Sequence, residues 1–194
     1  MAQPTKINFK IYQGSTFSET LRWESATKVY VPVTNITKTA PMIVSAISHG
    51  IPAGWRVKIT GALGMKQVNS EEYKIATEVT TDSITFNSVN ALGYDTYTGG
   101  AVLEYNQPVS LAGFSARMQL RAKLEDSTVI HELTSENSGI LVNNITKTIT
   151  LQIPASTTAG FTFQTAVYSL ELVSGATVIP FANGNFTLIK EVTR

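Results

Sequence analysis

The segment from Ser110 to Arg121, SLAGFSARMQLR, constrains the fold more than any other part of this chain. Along it, apolar side chains alternate with polar ones, in the order Phe114, Ser115, Ala116, Arg117, Met118, Gln119, Leu120 and Arg121. Such alternation is typical of a β-strand with one face in a hydrophobic core and the other in water. We therefore predict that this segment is a central strand of a β-sandwich, with the rest of the chain paired to it or inserted ahead of it.

The composition favours an all-β protein. Of the 194 residues, 43% are hydrophobic and only 15% are charged, which is enough apolar material for a core and is unlike a disordered chain. Short runs of Val, Ile, Phe and Tyr are separated by Gly, Pro, Asn and Ser, as in strands joined by turns. The only helix that the sequence predicts is a single turn over Ala155–Gly160.

Charge and cysteine usage exclude several classes of function. The net charge is +1, with Lys and Arg scattered among Asp and Glu, so we expect no nucleic-acid partner. The absence of cysteine excludes thiol nucleophiles, disulfide frameworks and Cys-based zinc sites, and it fits folding in a reducing cytoplasm. The N-terminus lacks the apolar core of a signal peptide, and no apolar run has the length of a membrane span, so we expect no membrane partner.

The sequence predicts two domains, one inserted into the other. Residues 1–33 and 108–194 are predicted to form the β-sandwich, preceded by a short polar arm over Met1–Thr5. Residues 34–107 have a different sequence pattern, with shorter strand candidates and a loop dense in Gly and Pro. We predict that they form a small β-barrel-like module. The module leaves the sandwich after Val31-Pro32-Val33 and returns at Gln107-Pro108-Val109, as insertions at an exposed loop do.

A set of segments outside the insert recurs in a characteristic order: Gln13–Phe17 with Leu21 and Trp23, then Leu111–Arg121, Ser138–Ile140, Thr148–Ile153, Tyr168–Leu172 and Glu191–Arg194. In this order the outer domain resembles the immunoglobulin-like virion proteins and the baseplate or fibre-docking domains of tailed bacteriophages. The resemblance implies an immunoglobulin-like β-sandwich and a non-enzymatic structural role in the tail, neck or baseplate region of a virion. It also implies other virion proteins as partners, assembly as a homo-oligomer or ring, and synthesis in the cytoplasm of a bacterial host.

The insert has a second pattern, formed by His49-Gly50, Gly54, Arg56-Val57, Ile59–Gly61, Gly64-Met65, Asn69 and Tyr97–Gly100. It is similar to a small β-barrel module of phage structural proteins, and to the half-domain that contains the first part of the catalytic-cysteine region in ubiquitin-activating enzymes. This similarity implies a fold and no catalysis, because the chain contains no cysteine.

No group of residues has the spacing of a catalytic, cofactor or metal site. The two histidines, His49 and His131, each lack a second imidazole or a pair of carboxylates at ligand spacing, so we predict no catalytic residue, metal ligand or cofactor. The aspartates Asp82, Asp95 and Asp126 lie in predicted turns, where a carboxylate accepts hydrogen bonds from nearby backbone N–H groups.

Five residues are candidates for an interaction surface. Arg117 and Arg121 lie on the outward face of the central strand and are placed to meet acidic partners across a subunit contact, although a solvated face explains them equally well. Trp55, Tyr94 and Tyr97 of the insert are placed either to stack on sugars or to form the core of the module. Two alternatives to tail docking therefore stay open: a capsid decoration protein, and a module that binds host glycans.

Overall fold

The computed structural model describes residues 4–190, and it is nearly all β, with about 50% of the chain in strands and 4% in helix. The N-terminal strands are β1 (Thr5–Lys6), β2 (Phe9–Tyr12) and β3 (Phe17–Arg22). The middle strands are β4 (Glu24–Pro32), β5 (Asn35–Ile36), β6 (Met42–Ser45), β7 (Arg56–Thr60), β8 (Lys74–Ile75), β9 (Glu78–Val79), β10 (Ser83–Phe86) and β11 (Val102–Pro108). The later strands are β12 (Ser115–Arg121), β13 (His131–Thr134), β14 (Ile140–Asn143), β15 (Thr148–Ile153), β16 (Thr165–Ser174) and β17 (Thr177–Ile189).

Two short helical turns accompany these strands. A 3-10 turn spans Lys66–Val68, and the helix α1 spans Ala155–Ala159, which confirms the single turn predicted there. No helix among residues 4–190 is long and apolar enough to cross a membrane. Of the predicted segments, the first three residues of the polar arm and the closing Glu191–Arg194 lie outside the described residues.

The chain separates into two compact units. The outer unit contains the residues up to Arg22, Leu111–Asn144 and the residues from Thr148 onwards. The inserted unit contains Trp23–Ser110 together with Ile145–Lys147.

The outer unit contains two sheets. The larger sheet has the strand order β1–β17–β16–β12–β13, and β2 also pairs with β17. Strands β1 and β2 run parallel to β17, and the other pairs are antiparallel. The smaller sheet has the order β14–β15–β3 and is antiparallel. In β12, Ala116, Met118 and Leu120 are buried while Arg117 is exposed, which confirms an inner strand with one face in the core.

Four aromatic rings join the two sheets of the outer unit. Phe17 of the smaller sheet lies with its ring centroid 5.6 Å from that of Phe9 and 5.2 Å from that of Phe186, both in the larger sheet. Tyr168 completes the cluster, 5.4 Å from Phe9 and 5.3 Å from Phe186. Because tilted and edge-to-face pairs each contribute about 0.5–1.5 kcal/mol beyond area burial, this cluster is a principal contact between the sheets.

Hydrogen bonding at Tyr168 ties the start of the chain to this core. Its hydroxyl donates to the Ile7 carbonyl at 2.9 Å, and burial raises the pKa of the phenol well above its ordinary value. The phenol therefore remains a neutral hydrogen-bond donor at neutral pH.

The inserted unit forms two four-stranded antiparallel sheets, with the orders β5–β6–β10–β9 and β4–β11–β7–β8. Their inner faces enclose a core that includes Met42, Trp55, Met65 and Phe86, each at most 1% exposed. Neither sheet closes into a barrel within residues 4–190, so the predicted barrel is not formed. The physical reason is strand length: β5, β8 and β9 contain two residues each, and a sheet closes only when its strands are long enough to pair all the way around.

The boundary of the inserted unit differs from the predicted one at residue 33. Strand β4, which we assigned to the sandwich, pairs with β11 from Val102↔Pro32 to Pro108↔Glu24 and therefore belongs to the insert. At the base of this pair, the Val109 N–H donates to the Trp23 carbonyl at 3.0 Å. The chain therefore enters and leaves the inserted unit at neighbouring positions.

We predict that residues 23–110 fold when expressed alone. The fragment contains its own buried core, and the β4–β11 pair joins its two ends, so excision leaves the main backbone pairings intact. Both tryptophans of the chain, Trp23 and Trp55, lie in this unit. Tryptophan fluorescence in urea should therefore show one cooperative transition.

The matched control is the same fragment with Val44→Asp, which places a carboxylate at a position that is 0% exposed. We expect this variant to lose the transition because an unpaired buried charge opposes folding. A wild-type fragment whose fluorescence changes gradually with urea would contradict the prediction.

Candidate functional site

A concave region lies on the outward face of the larger sheet of the outer unit. It is a groove of about 380 Å³ across strands β13, β12 and β16. Its polar lining consists of Arg117, Gln119, Arg121, Glu132, Ser169 and Glu171, with Leu124 and Val167 as apolar members. The structure thus brings the two arginines predicted for an interaction surface into one groove.

Each of the charged side chains Arg117, Arg121, Glu132 and Glu171 has a polar partner within the chain, and one of these contacts is an ion pair. The Arg117 Nε donates to Glu171 Oε2 at 2.8 Å, and the Gln119 Nε2 donates to Glu132 Oε1 at 2.6 Å. Arg121 donates to the Asp126 carbonyl and, at 2.7 Å, to Gln119 Oε1. The Arg117 side chain is 57% exposed, so its ion pair contributes less than about 1 kcal/mol to stability. The groove is therefore a neutral polar surface whose pairs can rearrange at low energetic cost.

Of the two positions left open for Trp55, a stacking surface and the core, the structure shows the core. Trp55 is 0% exposed, and its Nε1 donates to the Asn106 carbonyl at 2.9 Å. It precedes β7, whose Val57 and Ile59 are also buried, so the same alternation that makes the strand turns the indole inward.

Tyr94 and Tyr97 are partly buried and pack against the core of the inserted unit. The Tyr97 hydroxyl donates to the Val33 carbonyl at 3.0 Å and accepts from the Ala101 N–H at 3.2 Å. These contacts connect the loop before β11 to the end of β4. The three aromatic residues therefore do not form a joint stacking platform, and the core alternative describes them better.

A second charged face, which the sequence analysis missed, lies on the outward side of the β4–β11–β7–β8 sheet. Glu104 is its centre: Tyr73 donates a 2.6 Å hydrogen bond to Glu104 Oε1, and the Nζ atoms of Lys28 and Lys58 lie 3.2 and 3.4 Å from its carboxylate oxygens. The hydrogen bond from Tyr73, followed by the two lysines, holds the pKa of Glu104 below its ordinary value. No local signal predicts this group, because its members meet only through strand register.

Tyr73 also lies between two cations. The Lys28 Nζ is 4.7 Å and the Arg56 guanidinium carbon 5.8 Å from the centroid of its ring. A hydrogen bond from Lys28 to Tyr73 raises the pKa of the lysine, and hydrogen bonding to Glu71 raises that of Lys58. In this arrangement Lys28 and Lys58 are each paired with a carboxylate, so their charges are neutralised within the face.

Arg56 and Glu24 form the best-aligned ion pair of this face. The Arg56 Nε donates to Glu24 Oε1 at 2.9 Å, and its NH2 group donates to Oε2 at 2.7 Å. This forked contact raises the pKa of Arg56. The Asn106 Nδ2 also donates to Glu24 at 3.1 Å, so the pair fastens β7 to β4 and β11.

The two histidines have structural contacts. His49 is 2% exposed, its Nδ1 accepts from the Ile51 N–H at 3.0 Å, and its carbonyl accepts from the Tyr105 hydroxyl. His131 lies against Phe161, with ring centroids 5.7 Å apart, and burial lowers its pKa from the ordinary 6.5. Residues 4–190 contain no group of three His, Asp or Glu side chains placed to hold a metal ion.

Comparison with known proteins gives no assignment: no protein-family model matches the sequence, and no curated protein matches it.

We predict that Glu104→Gln lowers the free energy of unfolding of the inserted unit by about 1 kcal/mol, because Lys28 and Lys58 lose their shared carboxylate. Tryptophan fluorescence in urea at pH 7 reports on this unit. Glu78→Gln, the same change at an exposed position of β9, is the control and should have no effect. Equal effects of the two substitutions would contradict the assignment of Glu104 as the centre of this face.

We also predict that the outer unit loses stability as the pH falls below about 6.5. The pKa of His131 is lower in the folded than in the unfolded state, so the unfolded state binds more protons in this range and is favoured. The midpoint of urea unfolding, followed by far-UV circular dichroism at pH 7.5 and 5.5, should fall with pH for the wild type. It should fall less for His131→Gln, and an equal fall would contradict the role of this histidine.

Proposed function

We propose that this chain is a non-enzymatic structural protein of a tailed-bacteriophage virion, and that it acts as a docking and assembly component of the tail, neck or baseplate region. The observation behind the proposal is the strand connectivity of the outer unit. The resemblance of its segments to phage immunoglobulin-like proteins supplies the biological setting.

We interpret the outer unit as an immunoglobulin-like sandwich. In immunoglobulin lettering, β3, β12, β13, β14, β15, β16 and β17 would be strands B, C, C′, D, E, F and G in chain order. The two sheets then have the orders G–F–C–C′ and D–E–B, as in that fold. The strands β1 and β2 would be a first strand that pairs with G. In this interpretation the inserted unit occupies the B–C connection, and such terminal loops are where sandwich domains carry their binding functions.

The mechanism we propose is burial of surface and pairing of strand edges. Within the described part of the chain, β3 pairs only with β15, and β13 only with β12. Such edges present backbone donors and acceptors to a neighbouring subunit. The partners would be other virion proteins, in a homo-oligomer or ring, and the chain would be made in the host cytoplasm. Because the charges of both faces are largely matched within the chain, the partners would be selected by shape, by edge pairing and by the local pattern of charges, not by net charge.

Two other functions are alternatives to tail docking. A capsid decoration protein would use the same fold to cap neighbouring capsomers, and its copy number separates it from a docking protein. A glycan-binding module has lost its main support, because Trp55 lies in the core, Tyr94 packs against the core, and Tyr97 holds the loop before β11.

The test is the copy number of this chain in purified virions, measured by quantitative mass spectrometry against the major capsid protein. We expect a low number that matches a ring in the tail, because a docking component occupies one level of the particle. A nonsense mutation in its gene should yield filled heads without complete tails. A copy number close to that of the capsid protein would instead assign decoration, and absence from the particle would refute both.

A further inference from the structure

The outward face of the larger sheet has a charge pattern that matches itself. Its charges alternate by strand: Glu132 on β13, Arg117 and Arg121 on β12, and Glu171 on β16. The two arginines and two glutamates cancel, so a strongly acidic or strongly basic partner would place like charges against half of them. A partner surface that is neutral overall and has the same alternation of acidic and basic strands can avoid all contacts between like charges.

We propose that this chain forms a two-fold symmetric dimer in which the outward face of the larger sheet packs against the same face of a second copy, so that Arg117 of each copy pairs with Glu171 of the other. The inference rests on the proposed assembly function and names one contact that the assembly uses. In a two-fold contact each surface meets its own copy, so only a self-complementary face is suitable.

Strand register identifies the symmetry axis. Arg117 and Glu171 are direct cross-strand neighbours on β12 and β16. A two-fold axis that runs parallel to these strands and midway between them exchanges their positions across the interface. Arg117 then faces Glu171 of the second copy, and Glu171 faces Arg117.

The same axis gives acceptable neighbours to the other polar residues of the face. Gln119 pairs in register with Ser169, and Arg121 with Val167, so these positions would also exchange. The Arg121 guanidinium is already held by the Asp126 carbonyl and Gln119, so a neutral Val167 opposite it suffices.

Glu132 would face an amide on this axis. Glu132, Gln119, Ser169 and Asn183 occupy the same register position on the successive strands β13, β12, β16 and β17. Glu132 and Asn183 are therefore at equal distances on the two sides of the axis. The counterpart of Glu132 across the interface is Asn183 of the second copy, whose side chain can donate a hydrogen bond to a carboxylate.

An axis placed directly along either β12 or β16 would bring like charges together. An axis along β12 would set Arg117 and Arg121 each against itself, and an axis along β16 would set Glu171 against itself. Like charges that face each other at an interface are strongly unfavourable. Of these three axes, only the one between β12 and β16 avoids contacts between like charges, and it is also the axis that sets the opposite charges of Arg117 and Glu171 against each other.

The test is a charge exchange read by analytical ultracentrifugation of the purified full-length chain. We expect the wild type to dimerise. Arg117→Glu and Glu171→Arg, each alone, should raise the dimer dissociation constant by about tenfold or more, because each places like charges across the axis. An equimolar mixture of the two variants should form a one-to-one heterodimer again, since acidic positions on one copy then face basic positions on the other.

The mixture separates this contact from an effect inside one chain. Each variant retains like charges at positions 117 and 171 of its own sheet, so mixing repairs nothing within a copy. Lys66→Glu, an equal reversal of charge at an exposed position of the inserted unit, is the control and should leave the dissociation constant unchanged. Circular dichroism verifies that all variants are folded.

Three results would overturn the proposal: a wild type that stays monomeric up to about millimolar concentration, single variants that dimerise like the wild type, or a mixture that stays monomeric. These results are independent of the virion measurement. A monomeric chain counted in the tail would refute the dimer alone, and a dimeric chain absent from the particle would refute the virion function alone.

Discussion

The pairing of β4 with β11 is the contact on which the organisation of this chain depends. The chain from Glu24 to Pro108 is long, and bringing the ends of an unstructured loop of that length together costs conformational entropy. The β4–β11 ladder recovers this cost with backbone hydrogen bonds and places Trp23 beside Val109. For the strands β3 and β12, the connection between them then behaves as a short one. The Glu24–Arg56 pair and the buried Trp55 strengthen the same ladder.

On the outward faces of two sheets, one in each unit, acidic and basic side chains neutralise each other. On the inserted unit, Glu104 and Glu24 take up the positive charges of three basic residues. On the outer unit, Arg117 and Glu171 neutralise each other across a strand pair. Surfaces of this kind have little net charge, so recognition would depend on shape, on strand edges and on the local pattern of charges. This property supports an assembly role more directly than any single residue does.

Local pattern predicted some parts well and others poorly, for a physical reason. The alternation from Ser115 to Arg121 predicted an inner strand, because inward and outward positions are defined by the strand itself. The single helical turn at Ala155–Ala159 was predicted from another local signal, a short segment of small residues directly after Pro154. Trp55 was ambiguous, because an aromatic residue suits both a core and a binding surface, and only the position of the second sheet decided it. The barrel was predicted from the spacing of short strand candidates and turns. The structure shows two open sheets, in which strands such as β5 and β8 contain only two residues.

By itself, the sequence determined that this protein is built from short strands and that one face of β12 is buried, and it predicted an insertion over residues 34–107. These features depend on side-chain alternation and on breakers, which are properties of neighbours along the chain. Only the tertiary structure decided that β4 belongs to the insert, that Glu104 meets Lys28 and Lys58, and that Arg117 lies beside Glu171. Those contacts join residues far apart in sequence, and strand register, which sets them, is determined by the packing of the whole sheet.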